Sequence, residues 1–496
     1  MSVPTFKQLY VVSDLHMGST KGFQIFRKGR LLANFIRGLC EEERAREASE
    51  PRDDKRIALV LNGDTVDFLA EEPPCYLDPD GAIRKLRRIC EEDESFTMVW
   101  EQLRAFVQKE NRHLVINLGN HDVELALPHV QHWLVDWLSE GNDAARGRIT
   151  MAVDGAGYRC TVDDKKVLCL HGNEVDGWNP VDFHQLLNMA RAINRGISKK
   201  PKWDANAGTR LVIKVMNDIK RRYRFVDLLK PEKEAVIPAL VALRETSFDK
   251  VAKIVFLKAR SKVDRQLLRE GVLAAEAEAE EADSAGEEAF TALLDNAFGE
   301  GLGSSRTEEL DALLQTAREN IEKDIDPMDA LDESSMEALG VIGKLWSYRK
   351  LLTRDPSEGL RQGLQKWLNE EKVFNLDYED DTFKDLDEEI GHEVDCLIAG
   401  HTHVARARER RQSHGYYYNC GTWAGLIKLT DEQLTSEEFP QVYKTLTSKK
   451  PGDIDSLITE ECHVVSIVKE ELGVYGRLRQ VNKDGSVDDK DERRFP

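Results

Sequence analysis

Along this chain, apolar runs of three to five residues stop abruptly at groups of aspartate, asparagine and histidine. Leu9-Tyr10-Val11-Val12 leads to Asp14 and His16, and Ile57-Ala58-Leu59-Val60-Leu61 leads to Asp64 and Asp67. Leu114-Val115-Ile116 precedes Asn120, His121 and Asp122; Val167-Leu168-Cys169-Leu170 precedes His171; Leu397-Ile398-Ala399 precedes His401 and His403. Strand-like runs that all end this way predict a parallel-rich sheet whose carboxyl edges converge on one site, where open α/β sheets bind their ligands.

The spacing of the groups predicts the domain plan. Four of them fall between residues 14 and 171, whereas about 230 residues separate His171 from His401. Apolar residues recur near i, i+3, i+4 and i+7 over Asp182 to Ile197, Thr209 to Leu229, Val236 to Leu273, Glu287 to Phe298, Arg306 to Ile325 and Ser335 to Leu352, so the intervening segment is expected to be mostly α-helical. The Ala/Glu tract Ala274 to Glu281 within it is a solvated helix end or a connection. Strand signals resume at Val394 to Ala399 and Tyr416 to Asn419, after a short helix around Asp381 to Ile390. His463 to Lys469 and Val474 to Val481 read as a hairpin joined at Gly473. The expected organisation is a core in two parts, residues 1–177 and 391–483, a helical insert over 178–390, and a loose tail over 484–496.

Composition narrows the class. With 496 residues, 41% of them hydrophobic and 32% charged, the chain can bury a large core. No apolar stretch reaches the roughly 18 residues needed to cross a bilayer, and Met1 to Lys7 has no signal-peptide character, so a cytoplasmic protein is expected. The eight cysteines show no C-x-x-C spacing, and several sit in apolar runs, which fits buried thiols. A net charge of −20 opposes non-specific binding to nucleic acid or to anionic membranes.

The groups themselves carry metal chemistry. In Asp14-Leu15-His16, residues i and i+2 at a strand end point the same way and reach one ion. Gly63-Asp64-Thr65-Val66-Asp67 adds a carboxylate suited to bridging two cations. Gly119-Asn120-His121-Asp122 offers a neutral amide oxygen beside an imidazole that can transfer protons near neutral pH. His171, His401 and His403 complete the nitrogen donors, and such mixed nitrogen and oxygen ligands suit manganese, iron or zinc better than calcium.

In this order, D-x-H, G-D-x-x-D, G-N-H-D, H-G and G-H-x-H, the residues resemble the calcineurin-like metallophosphoesterase superfamily over about 5–175 and 390–480. The resemblance implies an α/β fold, a β-sandwich of two sheets flanked by helices, with two divalent metal ions at the strand ends. By position, one metal would take Asp14, His16, Asp64 and His403, and the other Asp64, Asn120, His171 and His401. The resemblance also implies attack by a metal-bridging hydroxide, with His121 stabilising the transition state or protonating the leaving oxygen and Asp67 orienting His121. Asp122 is expected either to support this set through hydrogen bonds or to cap the following turn.

Substrate is less constrained. The insert leaves the core after His171 to Asp176 and returns before Gly400, a placement similar to the lid of bacterial UDP-2,3-diacylglucosamine pyrophosphohydrolases. The chain departs from those in having His121 where they carry arginine, and in its longer insert. The leading expectation is hydrolysis of a phosphodiester or pyrophosphate bond in a small phosphorylated substrate such as a nucleotide-sugar, with the cap shaping choice. Trp178, Asn179, Arg191, Arg195 and Trp203 are its first candidate contacts. Alternatives are a repair-type nuclease acting on DNA or RNA, a phosphomonoesterase or protein phosphatase, and a non-catalytic scaffold whose insert binds a partner protein.

Overall fold

Each of the five apolar runs is a strand, and each hands its ligand-type residues to the loop at its carboxyl end. The computed structural model describes residues 3–41, 56–177, 179–198, 201, 203, 206, 209, 223–229, 356–367 and 374–496 apart from 449, 451, 460 and 485. The chain groups into one unit of Met1–Thr209, Glu371–Lys428 and Leu457–Pro496, and another of Arg210–Glu370 and Leu429–Ser456.

The first unit begins β1 (Thr5–Phe6), β2 (Gln8–Val12), α1 (Gly29–Glu41), β3 (Ile57–Asn62), α2 (Ala82–Arg87), α3 (Glu94–Gln108), β4 (Arg112–Asn117), α4 (Pro128–Ser139) and α5 (Asp143–Arg146). It continues β5 (Ile149–Ala152), β6 (Tyr158–Val162), β7 (Lys165–Cys169) and α6 (Phe183–Asn194). The second unit contributes α7 (Pro356–Trp367), after which the first resumes with α8 (Asp381–Glu389), β8 (Cys396–Ala399), β9 (Ala405–Glu409), β10 (Tyr416–Cys420) and β11 (Leu426–Ile427). Helix α9 (Phe439–Leu446) belongs to the second unit, and β12 (Ile458–Thr459), β13 (His463–Glu470), β14 (Gly473–Val481) and β15 (Val487–Arg494) close the first.

Two main sheets form among the described residues. One runs β15-β14-β13-β2-β3-β4-β5, and β2 to β5 pair in parallel. The other runs β1-β6-β7-β8-β10-β9, and β7, β8 and β10 pair in parallel. Strand residues alternate between two cores. Leu59, Leu61, Leu114 and Ile116 face α1 and α3, meeting Leu32, Ile36, Trp100 and Leu103. Ala58, Val60 and Val115 face the other sheet, meeting Val167, Cys169, Cys396 and Ile398. On that sheet's far side Leu397, Ala399 and Tyr417 pack on Phe383 and Leu386 of α8. The layers are therefore helix, sheet, sheet, helix, and strands covered on both faces need the unbroken apolar runs seen in the sequence. Each fully buried Leu or Ile adds about 1.5–3 kcal/mol.

Aspartates set several helix starts. Asp93 accepts from Ser95 N at 2.9 Å, Asp182 from Gln185 N at 2.9 Å and Asp380 from Phe383 N at 2.9 Å, each satisfying an amide that the helix leaves open. Helix α6 realises the helix expected over Asp182 to Ile197, and its Leu186 and Met189 join the core beneath α3 and α4. The helices expected over Val236 to Leu273, Glu287 to Phe298, Arg306 to Ile325 and Ser335 to Leu352, the tract at Ala274, and Trp178 lie outside the described residues, as does most of the one over Thr209 to Leu229, whose described end Arg224–Leu228 is a short 3-10 helix. In the second unit Leu360 and Leu364 of α7 and Phe439, Val442 and Leu446 of α9 are buried, and Arg361 Nη1 donates to Leu434 O at 3.0 Å.

The expectation of a loose tail is corrected. Val487–Arg494 is a strand, antiparallel to β14. Its charged sequence conceals a cross-strand match: Arg479 Nε donates to Asp489 Oδ1 at 2.8 Å, Arg477 pairs with Glu492, and Phe495 is buried. Such charge is also what keeps an exposed sheet edge from pairing with other chains. Among the described residues no helix is long and apolar enough to cross a membrane, and Cys90, Cys160, Cys169, Cys396 and Cys420 are buried thiols.

Candidate metal centre

Three parallel strands of one sheet, β2, β3 and β4, and two of the other, β7 and β8, deliver Asp14, His16, Asp64, Asp67, His121, His171, His401 and His403 to adjoining groups. The loops after β2 and β3 stay paired beyond the strands: Asp14 N donates to Gly63 O at 3.2 Å, His16 N to Asp64 O at 2.8 Å and Met17 N to Thr65 O at 3.1 Å. Asp14 (φ 54°), His16 (φ 48°), Asp64 (φ 49°), His401 (φ 68°) and His403 (φ 62°) all adopt left-handed backbone. Each such residue costs about 1–3 kcal/mol, a strain that gathers at functional sites.

Three donor groups result, the ligand atoms of each lying within 4.8 Å of one another: Asp14, His16 and His403; Asp64, His171 and His401; His16, Asp67 and His121. His16 Nε2 lies 3.0 Å from His403 Nε2, and His403 Nε2 lies 3.2 Å from Asp14 Oδ1. Asp64 stands between the first two groups, its Oδ2 being 3.7 Å from His16 Nε2 and 3.2 Å from His171 Nε2. Its other oxygen is taken, accepting from His121 N at 2.8 Å. Asp67 Oδ2 lies 3.2 Å from His121 Nδ1 and 3.5 Å from His16 Nδ1. The backbone must come close for this. A Cβ on Gly119 would stand 2.2 Å from Asp64 Oδ1, and one on Gly63 would stand 2.3 Å from His171 Nδ1.

Asp122 fills the supporting role rather than that of a turn cap. Its Oδ1 accepts from Gly119 N at 2.7 Å and its Oδ2 from Thr65 N at 2.8 Å, so it ties the loop after β4 to the loop after β3; no side-chain bond caps the short helical turn that follows. Other supports carry no signal in the sequence. His171 Nδ1 donates to Asn62 O at 2.9 Å, Asn419 Nδ2 donates to Gly400 O at 2.7 Å, Thr422 Oγ1 donates to Asp14 O at 2.7 Å, and His401 N donates to Asp14 Oδ2 at 2.9 Å. Asp176 Oδ2 meets His401 Nε2 at 2.7 Å. These contacts join residues far apart in the chain, where no local pattern marks them.

The electrostatics call for positive charge. Burial alone would raise the carboxyls of Asp14, Asp64 and Asp67, but neighbouring imidazoles outweigh it and hold all three well below the ordinary range: His403 and His171 for Asp14, His171, His121 and His16 for Asp64, His121 and His16 for Asp67. Burial disfavours charge on His171, yet the Asp64 carboxylate pushes it up to about 10. Burial, followed by the charge on Asp64, pushes Asp122 up to about 7. Asn120 Oδ1 is buried without a hydrogen-bond partner among the described residues, a state that costs about 1–3 kcal/mol unless some ligand uses the oxygen. Ionised carboxylates, converging imidazole nitrogens and an open amide oxygen are together a fitting donor set for divalent cations.

No curated protein matches the chain. The family model described as calcineurin-like phosphoesterase matches residues 7–217, which include four of the five donor loops. Over residues 7–217 the chain is thus similar to the calcineurin-like phosphoesterases, and the donor loops within that stretch stand at the strand ends of a two-sheet α/β fold, which supports the metallophosphoesterase superfamily.

Proposed function

We propose that this chain is a dinuclear metal-dependent hydrolase of phosphodiester or pyrophosphate bonds in a small phosphorylated substrate. The observation that carries the reading is the position of Asp64, one carboxylate oxygen of which lies within 3.7 Å of both an Asp14/His16/His403 group and a His171-centred group. Asp14, His16, Asp64 and His403 would hold one ion, and Asp64, Asn120, His171 and His401 the other. Manganese is the first choice, with iron or zinc also compatible with these donors. Bound cations supply Lewis acidity, neutralising phosphoryl oxygens and acidifying water.

The chain's own groups do the rest. Asp67, 3.2 Å from His121 Nδ1, would orient the ring toward substrate. The His121 side chain keeps 23% of its surface exposed, while His171 is fully buried, so His121 is the imidazole open to an incoming ester. It would steady charge on the phosphoryl group or hand a proton to the leaving oxygen, the task of a general acid. Asp122 and Asn62 keep the donor loops in register. Choice among substrates is assigned to the inserted segment, which leaves the core shortly after His171 and rejoins it shortly before His401.

The test is a manganese-supplemented panel of a bis-aryl phosphodiester, an aryl phosphomonoester, a UDP-sugar and single-stranded DNA. Hydrolysis of the diester or the UDP-sugar without DNA cleavage is expected, in keeping with the net charge of −20. DNA cleavage at comparable rates would replace this reading with a nuclease.

A further inference from the structure

We infer that Asp176 is the positioning residue for His401: it accepts the Nε2 proton, fixes the tautomer, and so presents Nδ1 as the metal-binding nitrogen. The inference rests on the dinuclear reading above and extends it to a residue outside the superfamily motifs. Asp176 Oδ2 lies 2.7 Å from His401 Nε2, with only 9% and 11% of the two side chains exposed. An imidazole held through one nitrogen by a carboxylate can offer only the other as a lone pair.

The opposite histidine shows the same arrangement with a different acceptor. His171 donates Nδ1 to Asn62 O at 2.9 Å, which leaves Nε2 for the site, 3.2 Å from Asp64 Oδ2. The two rings sit in T-shaped contact, 5.4 Å between centroids. His171 thus has an outer partner on one nitrogen and the donor group on the other, and His401, on this inference, has the same arrangement, the pattern by which outer-shell acceptors orient imidazole ligands. Asp176 is itself braced. Asn179 Nδ2 donates to Asp176 Oδ2 at 2.9 Å, Asn179 N donates to Asp176 O at 3.0 Å, and Asn173 Nδ2 donates to Asn179 O at 3.1 Å. Glu174 adds a clamp, its Oε1 accepting from His171 N at 3.1 Å and its Oε2 from Gly172 N. Residues 171–179 therefore carry one metal-facing histidine and the carboxylate that aims another, 225 residues away in sequence.

The test is manganese binding to the full chain, followed by calorimetry and by electron paramagnetic resonance of coupled ion pairs, for wild type, Asp176→Ala and Asp176→Asn. Wild type is expected to bind about two ions per chain. Asp176→Ala is expected to weaken one of them about 10- to 100-fold, losing the coupled signal, while the other ion binds as before. Asp176→Asn is expected to restore binding to within a few-fold, because its amide oxygen still accepts from Nε2 and the Asn179 amide can turn over to receive its NH2. Wild-type binding of both ions by Asp176→Ala would overturn the inference. So would equal impairment of the two variants, which would mean that the carboxylate acts through the fold or its charge rather than as an acceptor. Failure of the wild type to bind manganese would instead overturn the reading of the whole site.

Discussion

Replacing His121 by alanine is expected to lower turnover about 10²- to 10⁴-fold, the usual cost of a lost proton-transfer group, with both metals still bound. The structure makes the second half of that expectation the sharper one. His16, Asp67 and His121 form a donor trio of their own, so His121 has two possible places: on a metal, or beside the metals facing substrate. Asp67 Oδ2 stands 3.2 Å from Nδ1 of His121 and 3.5 Å from Nδ1 of His16, so the inner edge of the His121 ring lies against a carboxylate, and the ring's exposure favours the substrate side. Steady-state kinetics on the diester together with metal content decide it. Loss of an ion in His121→Ala would move the residue to the ligand set, and unchanged turnover would remove its role altogether.

Asp64→Asn is expected to weaken both ions at once, each by at least roughly the 10- to 100-fold that loss of a mere outer-shell contact costs. Asparagine suits the test because it tolerates the left-handed backbone that Asp64 adopts at φ 49°, and its side-chain oxygen can still accept from His121 N. What it lacks is the charge that two cations would share. An isotherm in which only one ion weakens would place Asp64 on a single metal, and retention of both at full occupancy would contradict the bridge.

Much of this site could be read from the chain because its chemistry is local to each strand end. The run Ile57 to Leu61 had to be apolar throughout, since alternate residues face α1 and α3 on one side and the second sheet on the other, and Asp64 and Asp67 follow it directly. The same holds for β2, β4, β7 and β8. What could not be read are the contacts that cross the chain. Nothing near Asn62 marks its carbonyl as the acceptor for His171, and nothing near Asp176 marks it as the partner of His401. The left-handed backbone at five of the expected ligands is likewise invisible to composition, because aspartate and histidine are not glycine. Strand β15 was hidden for another reason: its alternation is of charges matched to Arg477 and Arg479 rather than of apolar and polar residues.

In the proposed reading the inserted segment bears on substrate and the metal-facing loops on reaction type, and the two are separable by experiment. Of the cap residues singled out from the sequence, Trp203 meets the Tyr76 ring in a tilted contact, 5.9 Å between centroids, and packs against the main core, so it acts there as a packing anchor. Arg191 Nη1 donates to Asn188 Oδ1 at 3.3 Å along α6, a contact within its own helix.

The central claim is that hydrolysis depends on cations held by these loops, and the most direct measurement is a manganese titration of chelator-stripped protein, scored by hydrolysis of the bis-aryl phosphodiester. Silence in the stripped protein, with activity returning as about two ions bind per chain, is the predicted result. Undiminished hydrolysis without metal, or none after both ions have bound, would contradict it.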